Sequence, residues 1–270
     1  MRSDFAIYIL SHKRAEDICT VRTLRECGYS GKIYVVIDDE DDVHAYRQHC
    51  ISEELLIFHK DDYIGKYDSM DNLGKRNIAF YARNFINEHA ALIGLTYFGQ
   101  FDDDIDGLYY RYVDSANKFK RVPIIDADKV LSEYLDFMDS SDKIYGCCFA
   151  LDSGFFGGAN GKFKDGLGRR MYQTMLLKTA GAVPWVGSHY EDMLLSTLNF
   201  SRLYFDSYQN SFSSPKMASN SGGIDYDGLF GATVYAKVGL GEKLTLKEDG
   251  KTVVRSDYLF PKIISSRFKI

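Results

Sequence analysis

The sequence predicts an α/β fold, an open, mostly parallel (mixed) sheet flanked by helices, formed as a single domain over residues 1–270. Three observations predict it. Short apolar runs recur through the first half of the chain, each closed by a polar or acidic loop. Stretches with apolar residues at helical spacing lie between them, and such alternation signals a parallel sheet. The composition is that of an ordinary globular chain, 45 % hydrophobic and 26 % charged over 270 residues, which excludes disordered and fibrous classes and allows a sizeable core.

The elements follow in order. Phe5–Leu10 is a buried strand that opens into Ser11-His-Lys-Arg14. Arg14–Cys27 carries Ile18, Val21 and Leu24 at helical spacing and stops at Gly28. Ile33–Ile37 is a second buried strand, ending in Asp38-Asp-Glu-Asp-Asp42, and Leu55–Phe58 reads as a third. Leu73–His89 reads as a long helix with Ile78, Ala82, Phe85 and Ile86 on one stripe. Leu95–Phe101 is a fourth strand and ends in Asp102-Asp-Asp-Ile-Asp106. Ligands of such sheets bind outside the carboxyl ends of the strands, where both acidic clusters fall.

The second half is less regular. Ala127–Asp139 is an amphipathic helix and Lys143–Ala150 a strand. Gly154–Arg170 is too rich in glycine for a core element. Glu191–Asn199 reads as a short helix, Arg202–Phe205 as a strand, and Ser207–Gly223, rich in Ser, Asn and Gly, as a loop. We expect a nucleotide-binding first half, about residues 1–112, and an acceptor-binding second half, about 113–270.

Charge narrows the function classes. With 33 basic and 38 acidic residues the net charge is −5, which argues against coating nucleic acid by bulk charge and leaves room for a local basic groove. Aromatic residues reach 14 %, mostly Tyr and Phe, suited either to the core or to walls for flat ligands. The five cysteines form no CxxC pair, so reduced thiols and a cytoplasmic location are expected. The first apolar stretch is too short for a signal peptide, and no run approaches the roughly 18 residues of a membrane span.

Five groups of residues can carry chemistry. Asp-x-Asp alone is weak, since it also occurs at 39–41, 104–106, 126–128 and 225–227. Asp102-Asp-Asp104 stands apart because it follows an apolar strand in mid-chain. Carboxylates crowded at a strand end ask for a counter-charge, and their oxygens suit Mg²⁺ or Mn²⁺ bridging to a diphosphate; the alternative is a solvated acidic turn. Gly74-Lys-Arg-Asn77 places two cations and an amide near a helix start, where anions are favoured, and Lys13-Arg14 has the same character. Asp38 and Asp39 could bond a base or ribose, or simply form a turn. Glu191-Asp192 opens a helix, either as a partner of its dipole or as a carboxylate that takes a proton from an acceptor hydroxyl.

Taken in order, these features resemble the GT-A glycosyltransferases. More specifically, Ile9-Leu-Ser-His-Lys-Arg14, Thr20 with Leu24, Gly74-Lys-Arg-Asn77 and Phe101-Asp-Asp-Asp-Ile105 look like a phage and TET-associated glycosyltransferase group. That group is linked to sugar addition on hydroxymethylated pyrimidines in DNA. The likeness covers residues 5–110 well and the Glu191-Asp192 region loosely. It implies Asp102 and Asp104 on a divalent cation, Mn²⁺ or Mg²⁺, with Asp103 toward the donor sugar or ribose. Ser11, His12, Arg14, Asp38, Arg76 and Asn77 would hold the nucleotide of a nucleotide sugar, a UDP sugar first. Glu191 or Asp192 would meet the acceptor. Many GT-A enzymes add a C-terminal His to the metal, whereas the last His here is His189, so His189, Asp225, Asp227 or water would complete the shell. For a phage-encoded chain the expected location is the host cytoplasm.

DNA is the expected acceptor. Lys162, Lys164, Arg169 and Arg170, interleaved with Phe155, Phe156 and Phe163, form a basic and aromatic stretch suited to following a nucleic-acid backbone. The competing readings are a glycosyltransferase acting on a glycan or small molecule, a nucleotidyltransferase, and a catalytically silent binding module. A nucleotidyltransferase would carry glycines after strand one, which Ser11-His-Lys-Arg14 lacks. Retention of every expected acidic and basic position argues against the binding module.

Overall fold

The computed structural model describes residues 1–50, 53–70, 74–152, 171, 173–188, 191–199 and 202–214, with short strands at 244–246 and 252–254. The apolar runs of the first half form β1 (Phe5–Leu10), β2 (Lys32–Asp38), β3 (Glu54–Phe58) and β4 (Tyr97–Asp102). They pair in parallel in the order β3-β2-β1-β4. Register sets Leu10 beside both Val36 and Asp102, and Asp38 beside Phe58, so the carboxyl ends share one edge. The chain steps outward from β1 to β3 and then returns to the other side of β1 for β4. A crevice opens at such a reversal of strand order.

Side chains alternate across each strand, and here both faces are covered. Phe5, Ile7 and Ile9 of β1 join one core cluster, while Ala6 and Tyr8 join another. Five α-helices are present among the described residues: α1 (Thr20–Glu26), α2 (Val43–His49), α3 (Ala79–Leu92), α4 (Ala127–Asp139) and α5 (Glu191–Leu198). Leu24 of α1 and the Val130, Leu131, Leu135 and Met138 stripe of α4 cover the first face. Phe80, Tyr81, Ile86 and Ala90 of α3, with Leu195 of α5, cover the second. No helix among the described residues is long and apolar enough to cross a membrane.

The sheet continues through β5 (Gly107–Val113), β6 (Phe119–Pro123), β7 (Ile144–Leu151), β8 (Thr174–Lys178) and β9 (Leu203–Ser213). The full order is β3-β2-β1-β4-β8-β7-β9-β5-β6. β8 lies antiparallel between β4 and β7, β9 runs parallel to β7, and β5 is antiparallel to both neighbours. The result is a mixed α/β sheet, parallel through its first four strands and flanked by helices. β10 (Leu244–Leu246) and β11 (Thr252–Val254) form a separate antiparallel pair.

Several local expectations need correction. The helix expected over 14–27 splits into a 3-10 turn at Ala15–Asp17 and α1. The helix expected over 73–89 starts at Ala79, so Gly74–Asn77 precedes α3 rather than opening it. Ser207–Ser213, expected as loop, belongs to β9. Two of its polar residues find side-chain partners from neighbouring segments: Asn210 accepts from Tyr134 Oη of α4 at 3.1 Å, and Ser211 donates to Asp152, just past β7, at 3.0 Å. Pairing context overrides a weak strand propensity there. Asp42, part of the acidic turn, is the N-cap of α2, accepting from the backbone N–H groups of His44 and Ala45.

Gly28 ends α1 with φ +84°, and a Cβ there would meet the Ile125 carbonyl oxygen at 2.7 Å. Left-handed backbone and a rigid neighbour both exclude a side chain. Gly28→Ala should therefore cost about 2–3 kcal/mol, lowering Tm by about 5 °C in a thermal melt. An unchanged Tm would show that the α1–α4 junction yields.

Candidate active site

A cleft of about 410 Å³ opens at the shared carboxyl edge of β1, β2 and β4. Among its lining residues are Ser11, His12, Arg14, Asp38, Arg76, Asn77, Asp102, Asp103, Asp104 and Glu191, all singled out from the sequence. Asp192, the neighbour of Glu191, does not line it. Lys162, Lys164, Arg169, Arg170, His189, Asp225 and Asp227 lie outside the described residues.

The acidic turn after β4 is held from below by α1. Backbone N–H groups of Cys19 and Thr20 donate to the Asp103 carbonyl at 3.1 and 3.2 Å. Thr20 Oγ1 donates to the Asp102 carbonyl at 2.7 Å and accepts from Ile105 N at 2.9 Å. This accounts for a threonine at the start of α1. The three carboxylates then diverge. Asp103 is buried, accepting from Ser11 Oγ at 2.6 Å and from Arg14 at 3.2 Å. Burial raises its pKa above the usual carboxylate range even so. Asp102 pairs with Arg83 at 3.3 Å. Asp104 forms no ion pair among the described residues, Arg14 acting on it only through space, and its Oδ1 is buried without a hydrogen bond. Burial, then the charges of Asp102 and Asp103, push its pKa up to about 6.

That orphaned oxygen is the test of a cation here. A divalent ion offers what Asp104 lacks, a direct positive partner for a hard oxygen. Asp102 and Asp104 are the residues that could hold such an ion, and carboxylate oxygens suit Mg²⁺ or Mn²⁺.

The end of β2 is different. His12, Asp38 and Asp41 present possible ligand atoms within 4.8 Å of one another. These groups are already engaged. Lys60, only 3 % exposed, stands 3.0 Å from Asp38 and 3.0 Å from Glu40. Asp41 accepts the backbone N–H of Lys13 at 2.7 Å and of Asp38 at 3.1 Å. His12 Nδ1 is 2.7 Å from Asp38 without the alignment of a hydrogen bond. Asp38 and Asp41 together push His12 up to about 9. Burial alone would raise Asp38, but His12 and Lys60 override it and hold that carboxyl at about 2. The cluster is a neutralised ion-pair network.

Arg76 stands at the mouth of the cleft, half-buried, with Glu40 and Asp61 each 2.6 Å away. Asn77 lines the cleft beside it. On the opposite wall Glu191, in the first turn of α5, is only 9 % exposed and accepts from Arg83 Nε at 3.2 Å. Lys60, Arg83 and Gln173 complete the polar lining and were not anticipated. Arg83 did leave a signal, a charged residue on the apolar stripe of α3 between Phe80 and Ile86. Lys60 left none beyond its place after a strand.

The family model described as TET-Associated Glycosyltransferase matches residues 5–206. No curated protein matches the chain. Among solved structures, glucosyl-3-phosphoglycerate synthase from Mycobacterium tuberculosis, in complex with phosphoglyceric acid, is similar with a TM-score of 0.51 at 9 % identity. The match covers 93 % of this chain and 85 % of that one. A mycobacterial protein is similar with a TM-score of 0.50 at 9 % identity, over 93 % of this chain and 82 % of its own. These are likenesses of fold.

Proposed function

Because the chain belongs to the TET-associated glycosyltransferase family, we propose that its cleft moves a sugar from a nucleotide sugar, a UDP sugar first, to a hydroxymethylated pyrimidine in DNA. The single observation that carries this reading is the meeting of three groups of residues in one cleft: the Asp102–Asp104 turn, the cations Arg14, Lys60 and Arg76, and the carboxylate of Glu191. The fold is GT-A-like, and we read residues 1–270 as a single domain whose half up to about 112 takes the nucleotide sugar.

In this reading Asp102 and Asp104 hold Mn²⁺ or Mg²⁺. When bound, the ion supplies positive charge to the departing diphosphate, the largest charge that develops. Arg14, oriented by Asp103 and Ser11, and Arg76 add charge-assisted hydrogen bonds to the phosphates. His12, Asp38 and Asn77 contact the nucleoside from the ends of β1 and β2 and from the turn before α3. Glu191 accepts the proton of the acceptor hydroxyl as its oxygen bonds to the anomeric carbon and the bond to the diphosphate breaks. Asp192, off the cleft wall, adds negative charge near Arg83. DNA as acceptor is supported by the family resemblance and by the basic, aromatic stretch containing Lys162, Lys164, Arg169 and Arg170.

Arg76→Ala should lower kcat/KM for the nucleotide sugar about ten- to a hundredfold, the loss of one charged hydrogen bond worth about 1.5–3 kcal/mol, in a normally folded protein. Unchanged kinetics would leave Arg76 as a partner of Glu40 and Asp61 alone. The acceptor is tested by mass spectrometry of digested hydroxymethylated DNA after incubation with Mn²⁺ and a panel of nucleotide sugars. A sugar on the hydroxymethyl base is expected. Turnover of the nucleotide sugar with no sugar on DNA would make a glycan or small-molecule hydroxyl the acceptor.

A further inference from the structure

Arg83 projects from the buried face of α3 and is 4 % exposed. A guanidinium in the core is costly unless it is paired, and here each of its three nitrogens has a partner. Its Nε donates to Glu191 Oε1 at 3.2 Å, one terminal nitrogen to Asp102 Oδ1 at 3.3 Å, and the other reaches Gln100 Oε1 at 3.5 Å. Its plane lies over the Trp185 ring, 5.2 Å from the centroid.

The supports are themselves fixed. Gln100 Nε2 donates to the Arg83 carbonyl at 3.1 Å and to Asn87 Oδ1 at 3.0 Å. Asn84 and the Trp185 backbone exchange two hydrogen bonds, each 2.9 Å. The guanidinium is therefore held in one orientation by α3, β4 and the segment leading to α5. Asp102 and Glu191 are far apart in sequence, on β4 and α5, and one rigid fork joins them.

We propose that Arg83 is a positioning residue that sets the separation and orientation of Asp102, on the sugar-donor side, and Glu191, on the acceptor side. It binds neither substrate; it spaces the two carboxylates between which transfer occurs. The assignment rests on the roles proposed above for Asp102 and Glu191. A lysine cannot replace it, because an ammonium keeps the charge but has no planar fork to span two carboxylates.

Arg83→Lys and Arg83→Gln test this, with three readouts. The first is the Tm rise on adding Mn²⁺ alone and Mn²⁺ with UDP. The second is release of UDP from the UDP sugar that the wild type turns over, with water as acceptor, and the third is transfer to hydroxymethylated DNA. Arg83→Lys should keep the Mn²⁺–UDP shift and a sugar-donor KM within about threefold of wild type. Its kcat to water and to DNA should fall about a hundredfold, the scale of a roughly 1 Å misplacement. Arg83→Gln leaves its carboxylates without their cation, so it should bind Mn²⁺ at about tenfold lower concentration while turning over poorly. Variants that only melt lower, with wild-type kcat and Mn²⁺ midpoint, would overturn the assignment by making Arg83 purely structural. Should Arg83→Gln not fold, Arg83→Lys decides by its kcat. Wild-type hydrolysis without transfer to DNA would sink the DNA reading and leave Arg83 to be judged on water. A wild type with neither a Mn²⁺–UDP shift nor UDP release would overturn the sugar-donor reading and Arg83 with it.

Discussion

Glu191→Gln should slow sugar transfer by about 10²–10⁴-fold, the usual cost of losing a general base. The side chain keeps its size, and its amide oxygen can still accept from Arg83, so folding and sugar-donor binding should survive. What disappears is the capacity to take a proton. Asp192→Asn is the matched control, since Asp192 shares the first turn of α5 but does not line the cleft. Its rate should fall far less than that of Glu191→Gln, by no more than about tenfold, since only a through-space charge near Arg83 is lost. Initial rates at saturating nucleotide sugar decide between them. Wild-type rates from Glu191→Gln would remove the base from this motif, and a large loss from Asp192→Asn would move it one residue on.

Asp104→Asn carries the second large effect, and it has two opposed halves. In the wild type, UDP with Mn²⁺ should raise Tm by more than the sum of either alone, since a ligand at about 100 times its Kd adds roughly 2.7 kcal/mol. Asp104→Asn should abolish that synergy and cut turnover at least about a hundredfold, because an amide lacks the charge that offsets dehydration of the ion. Without metal the sign reverses. Burial and the neighbouring carboxylates push Asp104 up to about 6 from the 3.8 expected of a free aspartate. An acid whose pKa rises on folding destabilises the folded state once it ionises. The penalty is absent below about pH 3.8, grows between there and about 6, and is complete above. Metal-free Asp104→Asn should therefore melt higher than wild type above about pH 6, and the difference should vanish toward pH 4. An additive Mn²⁺ and UDP response in the wild type would remove the metal bridge. A metal-free variant no more stable at pH 7 would show that Asp104 is not strained.

The strands of the first half were legible because each is a short apolar run closed by charge, and β1, β2 and β4 are buried on both faces. α4 was legible to the residue, its stripe of Val130, Leu131, Leu135 and Met138 framed by the Asp126 cap. β5, β6 and β8 were not anticipated, and β9 was cut short at Phe205. The polar second half of β9 acquires strand character from neighbours, as Asn210 does from Tyr134 and Ser211 from Asp152. α3 begins later than its periodicity suggested, and that moves Arg76 and Asn77 from a helix start into a turn at the cleft mouth.

For the site, sequence alone determined which residues gather at one edge. Parallel strands place their carboxyl ends together, so polar residues following β1, β2 and β4 must meet there whatever the rest of the chain does. Only the tertiary structure decided how they divide. Asp38, Asp41 and His12 are neutralised by one another and by Lys60, Asp103 is taken by Ser11 and Arg14, and Asp104 alone is left short of positive charge. Arg83 and Glu191 are brought together across more than a hundred residues of chain. The physical reason is range. Strand ends and helix stripes follow from nearest neighbours in sequence, whereas the state of a carboxylate depends on charges and burial within a few ångströms, which the order of strands supplies.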